Sequence, residues 1–215
     1  MAGRHKPRSV RSLEQLGRVR LSRSFFLRDF LHSEIADFHG VPNIPDDPEL
    51  AIHAGTRLCE EILEPLQATF GRVAIRSGYR SPAVNALGNR LGLSCASNER
   101  NRARHTWDRR AADGSAGATT CIVLPWLVDR CAEGLDWRAM AWWIHDHLPY
   151  SGMQFFPRLF AFNIGWREKA PRREIFSFIA PRGYLARPGA PGHAGSHADR
   201  YPGFPGCAKE PPPGG

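Results

Sequence analysis

The run Ser77-Gly78-Tyr79-Arg80-Ser81-Pro82, with Asn85 just beyond it, joins two elements of different kinds, and its reading decides the fold. Upstream, Val73 and Ile75 alternate with Arg72, Ala74 and Arg76, the period-two pattern of a short strand. Downstream, Pro82 has a fixed φ and no N–H, both tolerated in a first helical turn, so a helix through Leu87 is predicted. Arg80 therefore sits in a loop between strand and helix. There its planar fork can grip a carboxylate in bidentate fashion, worth about 1.5–3 kcal/mol for a charged hydrogen bond. The carboxylate belongs either to a ligand or to the acidic helix that precedes the loop.

That preceding helix spans Glu49 to Phe70. Leu58, Ile62, Leu66 and Phe70 recur at four-residue steps with charged residues between them, and Gly71 closes it. Later in the chain Asp136 is a plausible N-cap for a helix from Trp137 to His147, stopped by Pro149. Residues 153–156, 160–166 and 174–179 read as strands, with turns at Pro157 and Pro171. The segment 117–128 fits strand or helix. Helices early and a sheet late predict an α+β domain, a small helical layer packed on an antiparallel sheet. Trp137, Trp142, Trp143, Trp166, Phe155 and Phe156 fall on these helix and strand faces and read as core packing rather than a sugar-stacking platform.

The 215 residues suit one domain with tails, and 42% hydrophobic with 23% charged residues is enough apolar material for a core, which excludes a wholly disordered chain. No apolar run approaches the roughly 18 residues of a membrane span. The formal charge of +8 is concentrated between Arg4 and Arg20, so residues 1–20 form a basic arm. A solvated arm is the plainer reading, and nucleic acid is not an expected partner. From Arg187 the chain is rich in Pro, Gly and His, which predicts a disordered tail over 187–215 and a folded domain over 21–186; His193 and His197 fall in that tail. The start has no secretory apolar run, and the cysteines are odd in number without a Cys-x-x-Cys pair. Both features point to reduced thiols and a cytoplasmic or phage-associated protein. Phosphate-binding Gly-rich loops, Gly-x-Ser-x-Gly and His-Glu-x-x-His do not occur, which removes nucleotide-dependent and serine-hydrolase readings.

The decisive run resembles the zinc D-alanyl-D-alanine carboxypeptidases, cell-wall peptidases of the hedgehog-type fold. The likeness extends over residues 21–89 in order and spacing. It includes Leu21-Ser22, Phe25, Phe26 and Phe30, then Asn43 and Pro45, then Leu63-Glu64-Pro65-Leu66 and Phe70-Gly71. It implies that fold, a zinc ion held by His, Asp and His, and hydrolysis of peptide bonds beside D-amino acids in peptidoglycan stem peptides. Ser77, Tyr79 and Arg80 would bind substrate, with Arg80 also polarising it.

Under this resemblance His105 is the first metal ligand and Asp113 the second, with Asp108 a competing carboxylate. Neutral imidazole and ionised oxygen both suit zinc, at about 2.0–2.2 Å. Two departures stand out. Arg109 replaces the family's glycine, and His105 lies one residue farther from Asp113 than the pattern has it. The competing reading is a solvated cluster in which Asp108 and Asp113 pair with Arg104, Arg109 and Arg110. At the third ligand position the chain has Asn163, whose neutral amide is a weak zinc donor, so Asn163 is expected to line the substrate cleft. His147, with His145 and Asp146 beside it, is the candidate for the missing catalytic group; a helix-terminal histidine also has a purely structural use at the helix dipole. Two functions follow, a zinc peptidase of the carboxypeptidase type, or the same scaffold with a lapsed metal site as a peptidoglycan-binding or phage and cell-wall structural module.

Overall fold

The computed structural model describes residues 5–169 and 171–207. Helix α1 (Val10–Gly17) is capped by Ser9, whose hydroxyl accepts from the Ser12 N–H, and it buries Leu16. Part of the expected basic arm is thus a helix; residues 1–4 lie outside the described residues. After α2 (Glu34–His39), α3 (Pro48–Leu58) starts at Asp47, which caps the Leu50 N–H, and continues through one wide π-turn (Cys59–Leu63) into α4 (Glu64–Phe70). The helix predicted over 49–70 forms with this irregularity. Pro65 has no N–H and its ring crowds the carbonyl a turn earlier, and the chain widens so that Glu64 bonds back to Cys59.

The rest of the chain adds β1 (Ala74–Ser77), α5 (Pro82–Arg90), α6 (Asn98–Asn101), β2 (Gly117–Val123), α7 (Pro125–Ala132) and α8 (Arg138–His147). Strands β3 (Gly152–Phe155), β4 (Phe162–Arg167), β5 (Glu174–Ser177) and β6 (Gly183–Ala186) complete the sheet. The ambiguous segment 117–128 divides at Pro125 into a strand and a helix. The architecture is α+β, with helices on a six-stranded sheet in the order β1-β2-β4-β3-β5-β6.

The sheet is mixed, where the sequence predicted an antiparallel one. Strands β3 and β4 pair antiparallel, and the chain then crosses β3 so that β5 pairs with its far edge. Having reversed direction once more after β4, β5 runs parallel to β3. Alternation along each strand separates the two faces. Ala118, Ile122, Phe162, Ile164, Phe155 and Ile175 are buried in the core, over which α3 packs on β2 and β4. Thr119, Cys121, Asn163, Gln154, Glu174 and Phe176 look the other way, into an open cleft.

The expected disordered tail is a packed strap through Cys207. Trp143 Nε1 donates to the Pro205 carbonyl at 2.9 Å, and Phe204 lies 5.2 Å from Trp126 and 5.9 Å from Phe70, ring to ring. The sequence offered no periodicity here because the strap is held by single anchors. The Pro211-Pro212-Pro213 end lies outside the described residues. No helix among the described residues is long and apolar enough to cross a membrane.

Candidate functional site

The decisive run is held by its neighbours in the resemblance. Asn43 donates to the carbonyls of Leu31 and Tyr79, both at 2.9 Å, and accepts the Ser81 N–H at 2.7 Å. The Gly78 backbone lies against Phe30, so a Cβ there would stand 2.7 Å from that side chain and 2.9 Å from its backbone. Ser81 caps α5, and the buried Asn85 amide bonds Ala96, Asn98 and Asn101, which fixes the loop that leads to His105. Glu64, also buried, accepts from the hydroxyls of Ser22 and Ser24 at 2.7 and 2.9 Å. These residues position the loop rather than react.

That loop and the open sheet face enclose a cleft of about 1380 Å³. Arg80 and His105 share its floor. The Arg80 N–H donates to the His105 carbonyl at 2.8 Å, and the His105 Nδ1 lies 2.9 Å from the Gly78 carbonyl. A carbonyl oxygen only accepts, so the proton sits on Nδ1 and the lone pair on Nε2. Burial first and the Arg80 charge second hold the His105 pKa down at about 3, against the opposing pull of the Gly78 carbonyl, so the ring is neutral at pH 7. The Arg80 guanidinium donates to Cys95 Sγ at 3.2 Å, and among the described residues no carboxylate lies within 4.0 Å of it. Its fork faces the cleft, and it does not tie the loop to the acidic helix. Ser77 and Asn163 also line the cleft, with Asn163 donating to Gln154 at 3.0 Å.

Four other predicted site residues are elsewhere. Tyr79 is buried in the core with its ring edge-on to Trp107 at 6.3 Å, because the turn after β1 sends it beneath the loop. Asp108 is buried too, and its Oδ2 accepts the Asp46 N–H at 2.7 Å and meets Arg109 at 3.4 Å. Burial raises its pKa despite these bonds. Asp108 Oδ1 and the Tyr79 hydroxyl are both enclosed and without a well-formed hydrogen bond, although they lie near enough for the carboxylate to push the phenol up further. Asp113 is exposed, and both its oxygens are engaged. Oδ1 accepts from Ser115 at 2.6 Å and Oδ2 pairs with Arg167 at 2.9 Å; the Ser115 bonds chiefly hold the carboxyl at about 2.

His147 belongs to the opposite side of the fold. Its ring stacks on Trp143 at 4.6 Å, its Nδ1 lies 2.8 Å from that residue's carbonyl, and it lines a smaller cavity of about 520 Å³ with His145, Asp146 and Tyr201. This is the structural use of a histidine in the last turn of a helix. His145 bonds the Tyr150 hydroxyl at 2.6 Å and the His193 carbonyl at 2.8 Å.

The zinc set implied by the resemblance is therefore not assembled. His105 Nε2 keeps a free lone pair, but Asp113 and Asp108 are committed to other partners and the third position holds the neutral amide of Asn163, so the side chains present do not fit a His–Asp–His centre. The cleft instead collects cations. Arg76, Arg80 and Arg182 line it together with Arg100, Arg104, Arg167 and Arg172, against only Glu34 and Glu174 among the described residues. The sequence held a signal for this, since 26 of its 29 basic residues are Arg, the side chain suited to planar oxyanions. No family model, curated protein or solved structure matches the chain.

Proposed function

We propose that this protein is a binding module of peptidase-like architecture that holds an anionic, carboxylate-ended peptide in the sheet-face cleft without cutting it. The observation that carries the reading is the Arg80 fork, left without a carboxylate partner among the described residues, beside a neutral His105. A guanidinium so placed binds a terminal carboxylate through two parallel hydrogen bonds, and His105 Nε2 accepts an amide N–H from the same ligand. Asn163 and Gln154, on neighbouring strands, offer amide groups to the peptide backbone. The resemblance over residues 21–89 names the ligand class as a peptidoglycan stem peptide, and the role as recognition in a cell-wall or phage assembly.

Calorimetric titration with an acyl-D-Ala-D-Ala peptide tests the reading. Binding is expected, reduced about tenfold to a hundredfold in Arg80→Ala, with no D-Ala released whether or not zinc is added. The free lone pair of His105 favours a second reading, the zinc peptidase. Zinc-dependent release of D-Ala that disappears in His105→Ala would establish that reading in place of the first.

A further inference from the structure

One end of the cleft carries more positive charge than its own carboxylates balance. Arg100 comes from α6, Arg104 from the loop that follows it, Arg167 from the end of β4, and Arg172 from the link into β5. Glu174 is shared, at 3.3 Å from Arg172 and 3.9 Å from Arg104. Arg167 is taken by Asp113 at the rim, and Arg100 has no carboxylate within 4.0 Å among the described residues. Arg104 is half-buried, with its side chain 35% exposed. Burial first, then the charges of Arg172, Arg100 and Arg167, press its pKa below the ordinary guanidinium value, and Glu174 offsets this only in part.

Guanidinium groups do not deprotonate at neutral pH, so the repulsion is not relieved by proton loss. In a cleft, where the effective dielectric is lower than in water, a multiply charged oxyanion relieves it best. Guanidinium forks match phosphate oxygens bidentately, and the Ser151 hydroxyl on the same wall adds a neutral donor. Beyond Glu174, Phe176 and Tyr184 stand edge-to-face at 5.1 Å, and Arg182 lies over the rings of Phe176 and Phe178 at 5.7 and 4.8 Å. This makes an apolar shelf next to the charged end.

The geometry points to a second subsite, formed by Arg100, Arg104 and Arg172, that takes the phosphoryl group of a phosphomonoester or diphosphate ligand. This deepens the reading of an anionic-peptide cleft. Arg104 and His105 are adjacent in the chain, so the phosphoryl and carboxylate subsites are neighbours and one ligand carrying both groups can span them.

Inorganic pyrophosphate is the probe, titrated calorimetrically into the full chain at about 0.15 M salt. One-to-one binding is expected, at least about tenfold weaker in Arg104→Gln and in Arg172→Gln. Arg172 is half-exposed, so its variant keeps the test valid should Arg104→Gln fold poorly. Arg138, which pairs with Asp136 away from the cleft, supplies the charge control Arg138→Gln. No binding, or affinity in both cleft variants unchanged from that of the natural chain, overturns the proposal, as does an equal loss in Arg138→Gln. A single-stranded oligonucleotide that binds more than tenfold tighter than pyrophosphate through the same arginines would make the cleft a polynucleotide groove and overturn it as well. Pyrophosphate does not require the Arg80 carboxylate site. Failure of peptide binding therefore leaves this measurement standing, and the reverse holds.

Discussion

The two sides of the sheet carry similar polar side chains and use them in opposite ways. On the strap side every member of the cluster finds a partner. The His197 ring lies between the Asp146 carboxylate and the Gly192 carbonyl, both at 2.7 Å, and stacks on Trp142 at 4.3 Å. Asp146 also accepts the His197 N–H and the Tyr201 hydroxyl, and His193 bonds the Arg173 carbonyl. On the cleft side, among the described residues, guanidinium groups outnumber the carboxylates and the Arg80 guanidinium meets only a thiol. Satisfied polar groups stabilise a fold, whereas groups left unsatisfied at some cost to stability mark the place where a ligand completes the set. His147 and Arg80 were both candidates for catalytic roles in the sequence, and this contrast separates them.

The contrast predicts that strap-side variants lose stability and cleft variants lose binding. The largest effect is expected from Trp143→Ala, which empties a buried site beneath the strap and removes the bond to Pro205. It should lower unfolding free energy by about 3–5 kcal/mol in urea titration. Binding of ligand by the folded fraction should be kept, and a cleft that fails together with the strap would erase the distinction. Next in size is Arg80→Ala, with its tenfold to hundredfold loss of peptide affinity, or about 1.4–2.8 kcal/mol, and almost no change in melting temperature.

Asp146→Asn comes third, at about 1–2 kcal/mol, since a neutral amide cannot serve all three donors that the carboxylate accepts. It also carries a pH signature. Burial alone would raise the Asp146 pKa, but the bonds from the His197 ring, the His197 N–H and the Tyr201 hydroxyl outweigh it and hold the value below the ordinary 3.8. A carboxyl depressed in the fold stabilises it fully above its unfolded pKa. That contribution disappears as pH falls through and below 3.8. Chemical denaturation between pH 6 and pH 2 should show a steeper acid decline for the natural chain than for Asp146→Asn; parallel curves would show that the carboxylate does not anchor the strap.

The smallest effect should be Arg172→Gln without ligand. Removing one of several like charges should leave stability unchanged or raise it by less than about 1 kcal/mol, seen as an equal or slightly higher melting temperature. A clear loss would mean that Arg172 is structural and that the two sides of the sheet do not differ as described.

The local signals in the chain marked several of its regular elements but not α1, α2, α6 or β6, and left β2 and α7 undivided. Four-residue apolar steps marked the helix over 49–70, alternation marked β1, turns at Pro157 and Pro171 bounded β3, β4 and β5, and the Pro82 start placed α5. Ser77, Arg80, His105 and Asn163 were each singled out from the sequence, and the structure brings them to one cleft. The carboxylates were not. Asp113 and Asp108 stand in the same short stretch as His105, yet the loop sends one outward to Arg167 and the other inward to the Asp46 N–H. Spacing along an irregular loop has no fixed period, so it does not specify direction.

What the sequence determined by itself is what short-range physics controls: periodicity, caps, proline starts and the composition that permits a core. Tertiary structure decided the rest. The crossing of β3 by the chain made the β3–β5 pair parallel, single aromatic anchors turned a Pro- and Gly-rich tail into a strap, and five separate segments brought their arginines to one cleft. Each of these depends on register and chain path between distant residues, and neither is written in the neighbours of any one of them.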